Sequence, residues 1–318
     1  MEAVFISKSL EPLVETLRSR VPGWRIQVAG SDEEAALRCP GADALVCWGT
    51  QRPVRFLEAA SNLSWVQSLS AGVEALVEEV QRVRLLGRAV TLTNARGAHG
   101  EPIAEHVLGM ILAFTRRLLA AEQARASHEW VRLSPVDLAG QTAGIVGFGS
   151  IGQTIAAKLR PLGVRILATR ARPQPHPLAE QVLGPDGLDL LLRESDILVV
   201  AAPATESTQA LISAPQLALI KPGALLVNIS RGSLVDEAAL ASALQSGHLG
   251  GAALDVFATE PLPAESPLWQ APNLLITPHV AGISPRTMER TFDIVSENLQ
   301  RFASGKSLLN QVDLERGY

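Results

Sequence analysis

Short apolar runs alternate with segments of helical periodicity along almost the whole of this 318-residue chain. A first group of runs lies at 3–7, 24–29, 42–48, 65–69 and 90–94, with helix-like stretches such as 10–20 and 32–38 between them. A second group lies at 142–148, 164–169, 196–202, 224–230, 251–257 and 273–278. The runs of the second group are nearly continuous in apolar residues, as strands buried on both faces require. The alternation therefore predicts an α/β fold with two parallel sheets, each covered by helices.

Two helical segments set the expected domain boundaries. The stretch 100–128 contains no strand signal and separates the two groups of runs. The segment 284–305 has the pattern of one long amphipathic helix that ends at Gly305. We expect this last helix to return to the first group of strands. The predicted domains are therefore 1–98 together with 285–318, and 99–284.

Charge and cysteine content exclude several classes of protein. The formal net charge of −4 provides neither a basic surface for nucleic acid nor a cationic face for anionic lipid. Cys39 and Cys47 are too few for a disulfide framework or a zinc site, and are typical of buried residues in a reducing compartment. We find no signal-peptide pattern, and the most apolar helix candidate, 103–117, is too short and too polar to span a bilayer. We therefore expect a cytoplasmic protein that binds a small molecule, with no metal site, no membrane and no nucleic acid.

The segment "GIVGFGSIGQTIAAKL", residues 144–159, has the spacing G-x-G-x-x-G at Gly147, Gly149 and Gly152. A predicted strand precedes it, a predicted helix opens inside it, and another strand follows about a dozen residues later, which is the context that a dinucleotide site requires. The first glycine permits the tight turn, the second lets backbone amides approach a pyrophosphate, and the third allows close helix–strand packing. Ser150 and Ile151 complete the expected contact. The alternative is a glycine-rich turn without a ligand.

The residue after the second strand of this unit predicts which dinucleotide binds. Sites for NAD usually have an acidic residue there to accept a hydrogen bond from the ribose 2′-hydroxyl. This chain reads "ATRARP", with Arg170 at the expected position and Arg172 two residues later. Two guanidinium groups suit a 2′-phosphate, which they bind through charge-assisted hydrogen bonds. We therefore predict NADP(H) as the preferred cofactor, with NAD(H) possible if both arginines are only solvated loop charges.

Three polar residues follow neighbouring strands of the second unit and suit hydride-transfer chemistry. His279 follows "NLLITP", Arg231 follows "ALLVNIS", and Glu260 follows "GAALDVF". A substrate oxygen must gain or lose a proton when a hydride moves, and a substrate carboxylate needs a cation. Taken singly, His279 could be a surface histidine, Arg231 a salt-bridge arginine and Glu260 a solvated loop acid. Together, at the carboxyl ends of parallel strands, they indicate an active site.

The chain contains four motifs in the order "VGFGSIG", "NISRGSLVDEAAL", "ALDVFATEPL" and "NLLITPHVAG". In this order they resemble the D-isomer-specific 2-hydroxyacid dehydrogenases, in particular the glyoxylate/hydroxypyruvate reductase branch. The resemblance extends over nearly the whole chain. It implies a Rossmann-like lobe and a flavodoxin-like lobe with the active site in the cleft between them, and a homodimer built on the cofactor domains.

The resemblance also implies residue roles. Arg231 matches the substrate-binding arginine, while Glu260 and His279 match the paired acid and proton donor. The loop "LSAGVEAL" resembles the loop that receives the substrate carboxylate on the amides of Ala71, Gly72 and Val73. Asp255 matches a residue near the nicotinamide carboxamide, and Arg170 departs from the aspartate that many members have. The further cofactor contacts that we assign are Pro203, Thr208, Ile229 and Gly282.

The expected reaction is reduction of a small 2-oxo acid, such as glyoxylate or hydroxypyruvate, by NADPH, with His279 as the proton donor. Two alternatives remain at this stage. One is an NAD(H)-sensing corepressor-like protein, although the chain has no long polar tail. The other is a related dehydrogenase acting on formate or phosphonate, for which Asn94 would supply one of the expected amides. Trp48 either caps the substrate pocket or belongs to the core.

Overall fold

A computed structural model describes residues 1–7 and 10–318, and the chain divides into two compact units. Unit 1 comprises Met1–His99 and Ser284–Tyr318, and unit 2 comprises Gly100–Ile283. Each unit contains one sheet in which every paired strand is parallel. The predicted α/β class with two parallel sheets is therefore confirmed. Lys8 and Ser9 lie outside the described residues.

The sheet of unit 1 has five strands in the order β2-β1-β3-β4-β5, which is a flavodoxin-like order. The strands are β1 (Glu2–Ile6), β2 (Arg25–Ala29), β3 (Ala44–Cys47), β4 (Trp65–Ser68) and β5 (Thr91–Thr93). The helices between them are α1 (Glu11–Arg20), α2 (Asp32–Arg38), α3 (Val54–Ala59) and α4 (Glu74–Leu85).

The sheet of unit 2 has seven strands in the order β12-β11-β10-β9-β6-β7-β8. The strands are β6 (Thr142–Val146), β7 (Arg165–Thr169), β8 (Gln181–Leu183), β9 (Ile197–Val200), β10 (Leu225–Asn228), β11 (Gly251–Leu254) and β12 (Leu274–Ile276). The helices are α5 (Gly100–Thr115), α6 (Leu118–Ala126), α7 (Ser150–Leu159), α8 (Leu188–Glu194), α9 (Ala214–Leu219) and α10 (Glu237–Gln245). The chain returns to unit 1 through α11 (Pro285–Ala303), where Phe292 packs with Phe5.

Strand burial explains why the apolar runs are continuous. In β9, Ile197 and Val199 join the core on one face of the sheet, while Leu198 and Val200 join the core on the other. Successive side chains of a strand point to opposite faces, so a strand covered on both faces needs apolar residues at every position.

Some elements differ from the sequence prediction. The stretch 100–128 is two helices, α5 and α6, because Arg117 between them adopts a left-handed conformation with φ of 57°. The Pro-rich stretch 170–178 is a loop that leads into the edge strand β8, which was not predicted. None of the helices in the described part of the chain has the length and apolar character needed to cross a membrane.

Candidate functional site

The glycine turn lies where the strand order of unit 2 reverses, between β6 and β9. Chain order runs outward from β6 through β7 and β8 on one side and through β9 to β12 on the other. Gly147 follows β6 with φ of 98°, and a Cβ there would lie 2.4 Å from the backbone nitrogen of Ala202, which follows β9. Only glycine fits a turn that is both left-handed and this close to a neighbouring strand. This reversal point is where doubly wound sheets bind ligands.

The other two glycines of the motif have different surroundings. A Cβ at Gly152 would lie 2.3 Å from the carbonyl oxygen of Gly147, so this glycine allows α7 to pack closely on the turn. No described atom lies within 4 Å of the Cβ position of Gly149, which is the N-cap of α7 and leaves room in front of that helix. The first turn of α7, with Ser150 and Ile151, has no side-chain cap. Free amides at an open helix N-terminus fit a pyrophosphate.

The remaining predicted cofactor residues follow other strands of the same sheet. Arg170 comes directly after β7, and Arg172 lies two residues further on; both are exposed, and neither side chain forms a hydrogen bond or ion pair with any described residue. After β9, the hydroxyl of Thr208 donates to the carbonyl oxygen of Pro203 at 2.8 Å. Ile229, buried, follows β10, and Gly282 lies in the loop after β12.

The predicted acid and imidazole are in direct contact. The Nδ1 atom of His279, after β12, lies 2.7 Å from Oε2 of Glu260, which follows β11. The other carboxylate oxygen of Glu260 accepts from the amide of Phe257 at 2.9 Å. The side chains of His279 and Glu260 are 49% and 35% exposed. The pair can therefore hold a proton on an imidazole that solvent or a substrate can reach.

Arg231 lies in a turn that packs against the segment leading to Glu260. A Cβ at Gly232 would lie 1.8 Å from the carbonyl carbon of Phe257, so the two backbones touch. Asn228, at the end of β10, donates through Nδ2 to the carbonyl oxygen of Arg231 at 3.0 Å and holds the turn. The ends of β10, β11 and β12 therefore bring the segments of the three predicted catalytic residues to one edge of the sheet.

Asp255 holds the loop that carries His279. Its buried carboxylate accepts from the hydroxyl of Thr277 at 2.6 Å, the amide of Val280 at 2.9 Å and the amide of Ala281 at 2.9 Å. Its backbone carbonyl accepts from the amide of His279 at 2.8 Å. The family resemblance assigned Asp255 only to the nicotinamide; this role in the loop could not be predicted, because no local pattern links 255 to 277–281.

The predicted carboxylate-binding loop lies in unit 1 after β4. A Cβ at Gly49 would lie 2.0 Å from the carbonyl oxygen of Gly72, so the loops after β3 and β4 are in backbone contact. Asn94 donates through Nδ2 to the carbonyl oxygen of Ala71 at 2.9 Å and accepts from the amide of Arg96 at 3.2 Å. Val73 is buried at the N-cap of α4. No local sequence pattern predicts these contacts of Gly49 and Asn94.

Trp48 is half-buried after β3, and its side chain packs against the core of unit 1 that contains Phe5 and Phe292. This core contact leaves the expectation that Trp48 caps the substrate pocket as a prediction.

A doubly wound parallel sheet with an open glycine turn at the reversal point is the architecture of dinucleotide-binding proteins, and unit 2 is of that class. Residues 108–281 match the family model described as "D-isomer specific 2-hydroxyacid dehydrogenase, NAD binding domain". The chain belongs to the D-isomer specific 2-hydroxyacid dehydrogenase family, which confirms the resemblance seen in its motifs.

Individual relatives agree with this family. The chain is 35% identical to a glyoxylate reductase of Thermococcus kodakarensis, over 95% of this chain and 93% of that protein. It is 34% identical to a D-3-phosphoglycerate dehydrogenase of Mycobacterium leprae over 91% of this chain, but spans only 55% of that longer protein. A solved NADPH-dependent glyoxylate/hydroxypyruvate reductase from Sinorhizobium meliloti, in complex with NADP and sulfate, is 29% identical with a TM-score of 0.87 over the full length of both chains.

Proposed function

We propose that this protein reduces small 2-oxo acids to D-2-hydroxy acids with NADPH. The observation that carries the proposal is the contact of 2.7 Å between His279 and Glu260, on the same sheet as the glycine turn. An imidazole held by a carboxylate can give a proton to a carbonyl oxygen and recover it in the reverse reaction.

Each of the three residues has a separate task in this proposal. His279 donates a proton from Nε2 to the carbonyl oxygen of the substrate, since its Nδ1 is bonded to Glu260. Glu260 orients the imidazole through its contact with Nδ1. Arg231 binds the substrate carboxylate and carbonyl oxygen through its guanidinium. The nicotinamide, when bound, supplies the hydride that the carbonyl carbon receives.

The two arginines after β7 support a choice of NADPH over NADH. The turn at Gly149 holds the pyrophosphate, and Arg170 and Arg172 bind the 2′-phosphate with guanidinium groups that no described residue engages. The remaining predicted contacts, which follow β9, β10, β11 and β12, are Pro203, Thr208, Ile229, Asp255 and Gly282. The solved reductase from Sinorhizobium meliloti is NADPH-dependent, which agrees with this choice.

We infer glyoxylate and hydroxypyruvate as the substrate class, which the names of two relatives support. The loop amides at Ala71, Gly72 and Val73 receive the substrate carboxylate.

We further propose a homodimer formed through unit 2. Trp130 is 96% exposed, and Leu118, Val131 and Val136 nearby in the chain are also exposed. A second copy that covers this apolar segment would remove it from water. The cytoplasm remains the proposed location, since Cys39 and Cys47 are free thiols.

An initial-rate screen tests the function. Glyoxylate, hydroxypyruvate, pyruvate and phenylpyruvate are each assayed with NADPH and with NADH, while formate and phosphonate are assayed with the oxidised cofactors. We expect turnover of glyoxylate and hydroxypyruvate with NADPH. Failure to turn over any 2-oxo acid would reject the proposal and favour the corepressor-like alternative. A preference for NADH would overturn only the role of Arg170 and Arg172.

A further inference from the structure

A second histidine contacts the loop that carries His279, and the proposed reaction does not use it. The Nε2 atom of His106, on α5, lies 3.0 Å from the hydroxyl oxygen of Thr277 and 3.8 Å from Oδ1 of Asp255. The side chain of His106 is 23% exposed and that of Asp255 is 2% exposed. His106 and Thr277 are 171 residues apart in the chain, so the contact is purely tertiary.

The direction of these hydrogen bonds follows from the number of protons available. Thr277 has one hydroxyl proton, and it goes to the carboxylate of Asp255 at 2.6 Å. The hydroxyl oxygen of Thr277 therefore accepts from His106, which must carry a proton on Nε2. His106 thus holds the Thr277 hydroxyl in the orientation in which it donates to Asp255.

The group at the end of this chain of bonds is the backbone of His279. Asp255 accepts from the amides of Val280 and Ala281, one on each carboxylate oxygen. His279 itself has φ of 53°, a left-handed conformation that is uncommon for residues other than glycine. Such a conformation persists only where its surroundings hold it. Asp255 supplies that restraint, and Thr277 and His106 fix Asp255.

We propose that His106 is a positioning residue for the acid–base pair. Its hydrogen bond to Thr277 keeps the carboxylate of Asp255 oriented toward the loop that carries His279, so that the imidazole of His279 stays within hydrogen-bond distance of Glu260. His106 does not touch the substrate in this proposal, which rests on the function proposed above.

Substitutions that remove single bonds test the inference. H106L removes the donor and T277V removes the hydroxyl, while H106Q and T277S each restore a group of the same kind. We expect H106L to lower kcat by about tenfold, because the free energy of one hydrogen bond corresponds to about that factor in rate. KM for NADPH should be unchanged. H106Q and T277S should recover most of the rate. The double variant H106L/T277V should be no slower than T277V, because both changes break the same connection.

His248 provides a matched control. Its Nε2 also makes a hydrogen bond of 3.0 Å in unit 2, to the carbonyl oxygen of Leu217, but away from the His279 loop. H248L should leave kcat unchanged. The inference is overturned if H106L keeps the wild-type kcat, or if H248L lowers kcat as much as H106L does.

Hydrogen exchange separates this inference from the proposed function. The amides of Val280 and Ala281 should exchange faster in H106L than in the wild type, because their acceptor is less well held. This measurement needs no substrate. Unchanged exchange in H106L rejects the positioning role, whatever the enzyme assay shows. Faster exchange in a protein whose wild type turns over no 2-oxo acid keeps the positioning role for the loop and rejects the reaction.

Discussion

Replacement of His279 examines the proposed proton donor at a single atom. Nδ1 of the ring is engaged by Glu260 at 2.7 Å, and no described residue bonds Nε2, which is the atom that we propose as the donor to the substrate. Positioned general acids contribute about 10²–10⁴ to a rate. At about 1.4 kcal/mol per factor of ten, removing the donor should raise the barrier by about 3–6 kcal/mol.

The same substitution should cost far less in stability. The side chains of His279 and Glu260 are 49% and 35% exposed, so their contact contributes at most about 1 kcal/mol to folding. H279N suits the left-handed backbone at this position, since asparagine tolerates it, and its amide nitrogen can still donate to Glu260. H279Q instead places its amide near the position of Nε2. Neither amide can give up a proton, so both variants should have a kcat lower by the factor given above and should remain folded.

The assay compares kcat and KM for glyoxylate with NADPH in wild type, H279N and H279Q. Thermal unfolding and NADPH binding, measured on the same preparations, report on the fold and the cofactor site. E260Q keeps a hydrogen bond to the ring but removes the charge, so its kcat should lie between wild type and the His279 variants. A kcat near that of the wild type in both H279N and H279Q would refute the assignment.

Three further changes test the cofactor, the pH response and the assembly. The R170S/R172S variant should raise KM for NADPH by about tenfold or more, because the charge-assisted hydrogen bonds to the 2′-phosphate are lost, and should leave KM for NADH unchanged. Equal effects on both cofactors would contradict the role of these arginines in binding the phosphate. Burial, and secondarily the charge of a nearby arginine, lowers the pKa of His99 below its usual 6.5, so the folded state binds this proton less well than the unfolded chain. The free energy of unfolding, measured by denaturant at each pH, should therefore fall as the pH drops below 6.5, and should fall less in H99Q than in the wild type. An equal fall in both proteins would exclude His99 as the cause. W130E should shift the sedimentation coefficient to that of a monomer, whereas L85E, at a residue 88% exposed in unit 1, should not.

Local periodicity was enough to predict the class of fold. Strands such as β9 are apolar at every position because helices cover both faces of the sheet, and this burial leaves its mark in consecutive residues. The glycine turn was readable for the same reason, since Gly147, Gly149 and Gly152 act within one strand–turn–helix unit. Short elements were harder to predict: β8 has three half-exposed or exposed residues at the sheet edge, and it lacks an apolar run.

The site was predictable only as far as strand ends could be read. His279, Glu260 and Arg231 were predicted together because each follows a strand, but the placing of their segments at one edge of the sheet depends on β10, β11 and β12 being adjacent. The tight packing of Gly232 on Phe257 and the clamp of Asp255 on the His279 loop join segments that no pattern connects.

The amino-acid sequence by itself determined that this chain forms parallel sheets buried on both faces and has a dinucleotide-type turn, because these properties are encoded between near neighbours. Only the tertiary structure decided which distant side chains meet, as His106 and Thr277 do across 171 residues. Such contacts depend on strand order and on the packing of helices against sheets, which are properties of the whole folded unit and not of any short stretch of chain.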